Sequence, residues 1–377
     1  MHSTAFGLLF LLLRLSGVAS PPHRVTFRCE AGSWELFDDA TGQAAPWTRG
    51  GDGVIEIRGR DEDDDWLTVD VRDASKCAAL PDLRFDGGVG GWDGISIFDG
   101  GAHEVRYEPA EAGAGHIRIG SSTVAFFNLE PADFQGSASS FGFIVTAPAV
   151  LMVQNGYDFE TGTQPALRIS GTQAGGSPFE TSAAWNFTHL AIQVSQIAGQ
   201  VSSVTVQSAD GAAAKITGFG IWSAEFPIGP VHGDIDVQGP MTFSGSVALQ
   251  GDFVYETGNG KITAPVLSVN GGVQVSLGQP NVVGEFAATA GVSGLSFEND
   301  GSTRINGVTA NGPVTLKVTN GTLDLAGPIV TPSSLTIQGP STVKARRGGD
   351  TNQDGKVDVN DVFYLINFLF TGGPTLY

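Results

Sequence analysis

Basic residues are scarce in this chain, with 20 Lys and Arg set against 39 Asp and Glu, for a formal net charge of −19 over 377 residues. A surface of that sign repels phosphate backbones, which excludes nucleic acid as an expected partner. Cysteine is scarcer still. Cys29 and Cys77 are the only two, they lack C-x-x-C spacing, and His23 alone is too little to suggest a zinc site. In an oxidising compartment the pair can close one disulfide across the N-terminal region. The alternative is two unpaired buried thiols, because pairing depends on Cα geometry. Catalytic signatures are missing as well: no G-x-S-x-G, H-E-x-x-H, Walker A or Rossmann fingerprint stands in a fitting context. His103, His116, His189 and His232 share no spacing that would form a metal site or a catalytic dyad, and each is expected in a turn or on the surface. Nor is there an amphipathic helical pattern before the extreme C-terminus.

Glycine is what the chain has in plenty, 53 residues, with 19 prolines beside a hydrophobic content of 41%. That is too apolar for a disordered chain and too rich in turn formers for a helical one, so the expected class is all-β with many tight turns. The length exceeds what one compact core usually holds, which leaves two or three domains or one elongated repeat structure. Composition favours the elongated form. The first twenty residues carry an apolar run from Ala5 to Leu13 followed by small residues at Gly17, Ala19 and Ser20, the pattern of a signal peptide over 1–20. The run is shorter than the roughly 20 residues that span a bilayer. No membrane span is expected after its removal, and the protein is expected to be secreted or held at the cell surface.

The clearest periodicity lies between Ile235 and Gly258, which reads IDVQGP, MTFSGS, VALQGD, FVYETG in units of six residues. Ile235, Met241, Val247 and Phe253 recur at this spacing, as do Val237, Phe243, Leu249 and Tyr255, with Gly239, Gly245 and Gly251 at the turns. Apolar residues two apart mark short strands with one buried face. The pattern continues through Val266, Leu267 and Val269, then Val273, Val275 and Leu277, then Val314, Leu316 and Val318. Leu323 with Leu325, and Leu335 with Ile337, close the series. Short strands at short intervals, without helices between them, predict a β-solenoid, parallel β-helix-like, over 233–338, each coil burying its apolar face against its neighbours. Tandem β-sandwiches are the alternative, since period-two patterning does not reveal strand direction.

Residues 21–232 are also strand and turn in character. Candidate strands fall at Trp66 to Val71, Ile95 and Ile97, Val105 and Tyr107, Phe141 to Val145, Val150 to Gln154, Leu190 to Val194 and Val201 to Val206. The stretch WLTVDVRDASKCAALPDLRFDGGVGGWDGISIFDGG, with HEVRYEPAEAGAGHIRIGSSTVAFFNLEP shortly after it, resembles repeat units of large exported proteins from planctomycete-type and related environmental bacteria. Residues 233–338 resemble the β-strand-repeat or filamentous-haemagglutinin-like segments of such proteins. These resemblances imply a β-solenoid architecture and an adhesive or structural role.

After a linker over 339–348 stands GDTNQDGKVDVNDVFYLINFLFTGG. Calcium takes about six to eight hard oxygen ligands, and a loop of about twelve residues supplies them from alternate positions. Asp350, Asn352 and Asp354 offer the first three side chains, Gly355 permits the sharp turn, the Lys356 carbonyl points inward, Asp358 contributes directly or through water, and Asp361 closes the loop. These six oxygen donors are the expected Ca2+ ligands. Val362, Phe363, Leu365, Ile366, Leu369 and Phe370 then recur at helical spacing on one apolar face, until Gly372, Gly373 and Pro374 stop the helix. With Asp at the closing position, where ordinary EF-hands have Glu, 349–377 resembles the loop–helix unit of a dockerin-like module. The resemblance implies docking to a cohesin-like protein receptor. The apolar helix face is otherwise expected to meet the solenoid end or another copy of itself.

Three further features are noted. Asp61, Glu62, Asp63, Asp64 and Asp65 read as a solvated turn, with a second calcium site as the sharper alternative, since adjacent like charges repel unless a cation offsets them. The run from Asp86 through Gly87, Gly88, Gly90, Gly91 and Asp93 to Asp99 echoes calcium-binding nonapeptide repeats at irregular spacing. Trp92, Trp185 and Trp222 read as core aromatics, with a sugar-stacking platform as the alternative. The expected function is an exported, non-catalytic structural or adhesive surface protein with a calcium-dependent C-terminal docking element. Its rival is a dockerin-bearing component of polysaccharide degradation that binds or hydrolyses a glycan.

Overall fold

The computed structural model describes residues 23–345 apart from 102, 138, 174–175, 177, 196–201, 223–232 and 340–341. What it describes is all-β. The helical elements among these residues are a single 3-10 turn, Ala74–Lys76, and one short helix, Gly211–Ala214.

Most strands pair in parallel with a strand one circuit later. In the first ladder His23–Glu30, Asp65–Asp70, Gly94–Phe98, Ala132–Gln135 and Ser182–Trp185 lie side by side. A hairpin of Ala149–Tyr157 and Pro165–Gln173 joins Ser182–Trp185 antiparallel. From Ala149–Tyr157 the parallel pairing resumes through Ser202–Val206, Gly233–Val237, Ser246–Glu256, Lys261–Ala290, Gly294–Asp300, Val314–Thr319 and Leu335–Gln338. The second ladder runs from Ile55–Arg58 through Leu83–Asp86 to Ser122–Phe127 and turns through antiparallel Ala114–Ile119 and Val105–Glu111. It continues in parallel through Ser140–Val145, His189–Val194, Gly218–Trp222, Ser246–Glu256 and Lys261–Ala290 to Thr303–Ala310. A third passes from Ala209–Asp210 through Pro240–Thr242 into Lys261–Ala290. Parallel neighbours need a long connection where antiparallel ones need only a tight turn. Here that connection is the rest of the circuit.

Ile235, Met241 and Val247, six residues apart, fall on the first, third and second ladders in turn, and all three are fully buried. The six-residue unit is therefore one strand with its turn. The next member departs from expectation: Ile235 pairs with Val254, so the circuit takes nineteen residues where three units make eighteen. The surplus residue lies at the corner where the alternation breaks, with Gly251 and Asp252 buried one after the other. Asp252 is buried, Val254 takes the core position, and Phe253 is left 37% exposed with Tyr255 half-buried.

The alternating apolar side chains of the ladders form one continuous core from Val25 to Leu323. Phe286 on Lys261–Ala290 and Phe297 on Gly294–Asp300 stack with centroids 3.9 Å apart. Leu335, expected to close the buried series, is exposed instead, because it lies on the last described rung of its ladder. On the outer surface Glu285, Arg304, Asp324 and Lys344 follow one another in register. Alternating signs on facing positions favour this register over a slipped one.

One corner of the stack is held by two buried asparagines that pair in register. Asn281 Oδ1 accepts from the Ile262 amide at 2.6 Å, and its Nδ2 donates to the Gln279 carbonyl at 2.9 Å and the Glu298 carbonyl at 3.1 Å. Asn299 Oδ1 accepts from the Val283 amide at 2.8 Å, and its Nδ2 donates to the Gly301 carbonyl at 3.1 Å. A bend takes backbone groups out of the ladder, and buried groups must find other partners. The asparagine amides, with a donor and an acceptor each, provide them.

At the N-terminal end Cys29 and Cys77 form a disulfide with Cα atoms 5.9 Å apart. It ties the first strand to the residue that follows the 3-10 turn. Replacing both cysteines by serine is expected to lower the stability of this end by about 2 kcal/mol, read as a lower denaturant midpoint for the N-terminal circuits. An unchanged midpoint would mean that stacking alone holds them.

Candidate functional site

The expected calcium ligands Asp350, Asn352, Asp354, Lys356, Asp358 and Asp361 lie outside the described residues, as does His232. Among the described residues no group of three or more His, Cys, Asp or Glu side chains is arranged to hold a metal ion. The two acidic runs form two turns stacked one circuit apart, and carboxylates from both serve the backbone. Asp61 Oδ1 accepts from the Val89 amide at 3.1 Å, and Asp64 Oδ1 from the Trp92 amide at 2.8 Å. Deeper in, Asp93 Oδ1 accepts from the Asp65 amide at 2.8 Å, and Glu130 Oε2 from the Asp93 amide at 2.6 Å. Burial pushes the Asp93 carboxyl up to about 7, with the negative charges of Glu130, Asp65 and Asp64 adding to the effect. Gly91 occupies the left-handed region at φ +90°, and a Cβ there would lie 1.9 Å from the Asp63 carbonyl oxygen. The glycines of this run thus permit close stacking of two turns.

Sequence reasoning passed over His23. Antiparallel pairing with Ser33–Asp38 and parallel pairing with Asp65–Asp70 bring its ring between two carboxylates, with Nδ1 3.0 Å from Asp65 Oδ1 and Nε2 3.4 Å from Asp38 Oδ2. The three line a cavity of about 370 Å³ together with Val25, Leu36, Ile57 and Phe85. Partners this far apart in sequence become visible only with the strand register. Of the other histidines, His103 bonds Asp99 at 3.0 Å, His116 is exposed, and His189 lies 6.1 Å from the Trp222 ring.

The three tryptophans do not form one platform. Trp92 is 51% exposed on the stacked turns, while Trp185 is buried in a small second core with Ala166 and Ala183. Trp222 is different, because it stands at the head of a groove of about 360 Å³ on the outer face of the second ladder. Two rows of side chains make that groove. Gly220, Ala248 and Ser268 are in register, as are Ala287 and Gly307, and these small residues keep the floor low. Beside them run Trp222, Gln250 and Asn270, then Thr289 and Thr309, likewise in register. The indole lies against Gly220, where a Cβ would come within 2.2 Å of the ring. No charged residue lines the groove. Among the described residues none of the Gln250, Ser268, Asn270, Thr289 and Thr309 side chains is engaged in a hydrogen bond to another side chain or to the backbone.

No family model, curated protein or solved structure matches this chain. No described helix is long and apolar enough to cross a membrane, a statement that does not bear on β-barrels.

Proposed function

We propose that the chain is an exported, non-catalytic structural or adhesive protein, secreted or held at the cell surface, with a calcium-dependent docking element at its C-terminus. The observation that supports this reading is a stack of parallel circuits whose first strand is locked by the Cys29–Cys77 disulfide, a bond that persists in oxidising compartments. An elongated all-β stack offers long outer sheet surfaces for contact. The loop from Asp350 to Asp361 supplies the docking half of the proposal. Calcium would neutralise its carboxylates and order it, so that binding and local folding are coupled and the partner site forms only in calcium. A cohesin-like receptor or a second copy of the chain is the proposed partner of the apolar helix.

Calorimetric titration of the mature protein with calcium, beside an Asp350→Ala, Asp361→Ala double variant, tests the docking element. Saturable binding near one ion per chain, lost in the variant, is the expected result. Absence of binding would remove the docking element and leave an exported β-stack alone.

A further inference from the structure

We infer that the uncharged groove headed by Trp222 binds a neutral polysaccharide, laid across the strands along the axis of the stack. Hydrogen-bonding capacity is the first argument. Gln250, Asn270, Thr289 and Thr309 present amide and hydroxyl groups in a row, free of partners among the described residues, and polar groups of this kind are what sugar hydroxyls pair with. Spacing is the second. Parallel strands repeat about every 4.8 Å, close to the length of one sugar unit in an extended polysaccharide, so successive rungs can meet successive units. The third is the indole, which packs one part of its surface on Gly220 and is partly exposed at the head of the groove. An aromatic face in that position can stack on the C–H face of a pyranose ring.

Charge selects among polymers. In a chain of net charge −19, a groove lined by no acidic or basic side chain repels an anionic polymer through the surrounding field and has no cation to recruit it. The charged row Glu285, Arg304, Asp324 and Lys344 belongs to the neighbouring strip of surface, where its members answer one another. Glycosidic cleavage takes a pair of carboxyl groups flanking the scissile bond. The groove lining contains no carboxyl group, so the polymer is held and not cut there. This site is independent of the calcium loop, and failure of one leaves the other standing.

The test is affinity electrophoresis and calorimetry of the full mature chain with three neutral polysaccharides, mixed-linkage β-glucan, xyloglucan and galactomannan, and with polygalacturonate as the anionic control, each with and without EDTA. At least one neutral polymer is expected to bind, insensitive to EDTA, with affinity weakened about tenfold by Trp222→Ala. A similar loss is expected for Asn270→Ala combined with Thr289→Ala, two exposed positions whose replacement leaves the core intact. Circular dichroism and melting curves matching the parent show that the variants fold. Failure of every neutral polymer to bind, preference for polygalacturonate, or binding untouched by the double alanine variant would each overturn the inference.

Discussion

Asn281→Ala is expected to lower the unfolding free energy by about 4 kcal/mol, the largest effect of any single substitution considered. Alanine fits the space, but it strands the Ile262 amide and the Gln279 and Glu298 carbonyls, all of which Asn281 now satisfies. Each buried polar group left without a partner costs about 1–3 kcal/mol, and Asn281 itself is fully buried, so water cannot replace it without opening the corner. Chemical denaturation of Asn281→Ala and of Asn299→Ala measures the effect. Losses below about 1 kcal/mol in both would show that the corner relaxes and that the amides are not its support.

Acidification from pH 8 to pH 5.5 is expected to raise the melting temperature by several degrees. Burial pushes Asp93, Asp133, Glu180 and Glu256 each up to about 7. Asp133 keeps this elevation although it accepts the Phe159 and Glu160 amides, and Asp158 and Glu160 add their charge to it. Glu256 accepts the Gln279 amide through Oε2, while its buried Oε1 has no partner in the described structure. Because these carboxyls hold protons in the folded state that the unfolded chain has released, their burial penalty is present in full above about pH 7. It disappears as the pH falls toward the ordinary carboxylate value. Each such proton is worth at most about 1.4 kcal/mol per pH unit, and solvent relaxation leaves a fraction of that. His189, whose ring burial lowers below its usual value, opposes the trend as it becomes protonated. At still lower pH the held-down carboxyls of Asp38 and Asp158 are protonated in turn and stability falls again. The decisive variant is Glu256→Gln, expected to melt higher than the parent at pH 8 and to match it near pH 5.5. A melting temperature that rises with pH across this window would refute the assignment.

The sequence was informative wherever burial follows local alternation. Ile235, Met241 and Val247 were legible because each strand contributes its own apolar pair and its own turn glycine. Phe253 was misplaced because the excess residue of the circuit is a property of closure, and no local pattern reports it. Asp61 to Asp65 read as a turn and lie in one, whereas the run from Asp86 to Asp99 read as an echo of calcium-binding repeats, and the pairing of Asp65 with Asp93 depends on which turns stack. The same holds for the groove. Trp222 could be named from the sequence, yet Gln250, Asn270, Thr289 and Thr309 join it only through the register, and circuits of changing length give them no common spacing. The proposed calcium loop would be the opposite case: its expected donors, Asp350 to Asp361, lie within twelve residues of sequence, and the proposal rests on that spacing.

Circuits are longer in the first half of the chain than in the second, and this sets an order of assembly. Contacts between neighbouring circuits span 42, 28 and 50 residues in the first half, at His23 to Asp65, Asp65 to Asp93 and Gly136 to Asn186. In the second half they span 19 to 21, as at Lys317 to Glu298 and Asn306 to Glu285. Closing a longer loop costs more entropy before any contact is gained, so the short circuits of 246–319 are expected to form first and to template the longer ones before them. Pulse-labelled hydrogen exchange during refolding would show their amides protected ahead of those in 23–145, and the reverse order would sink the idea. For a chain exported as proposed, the slow half enters the translocation pore first and finds its template only when the fast half has followed. The chain thereby stays threadable for as long as threading lasts.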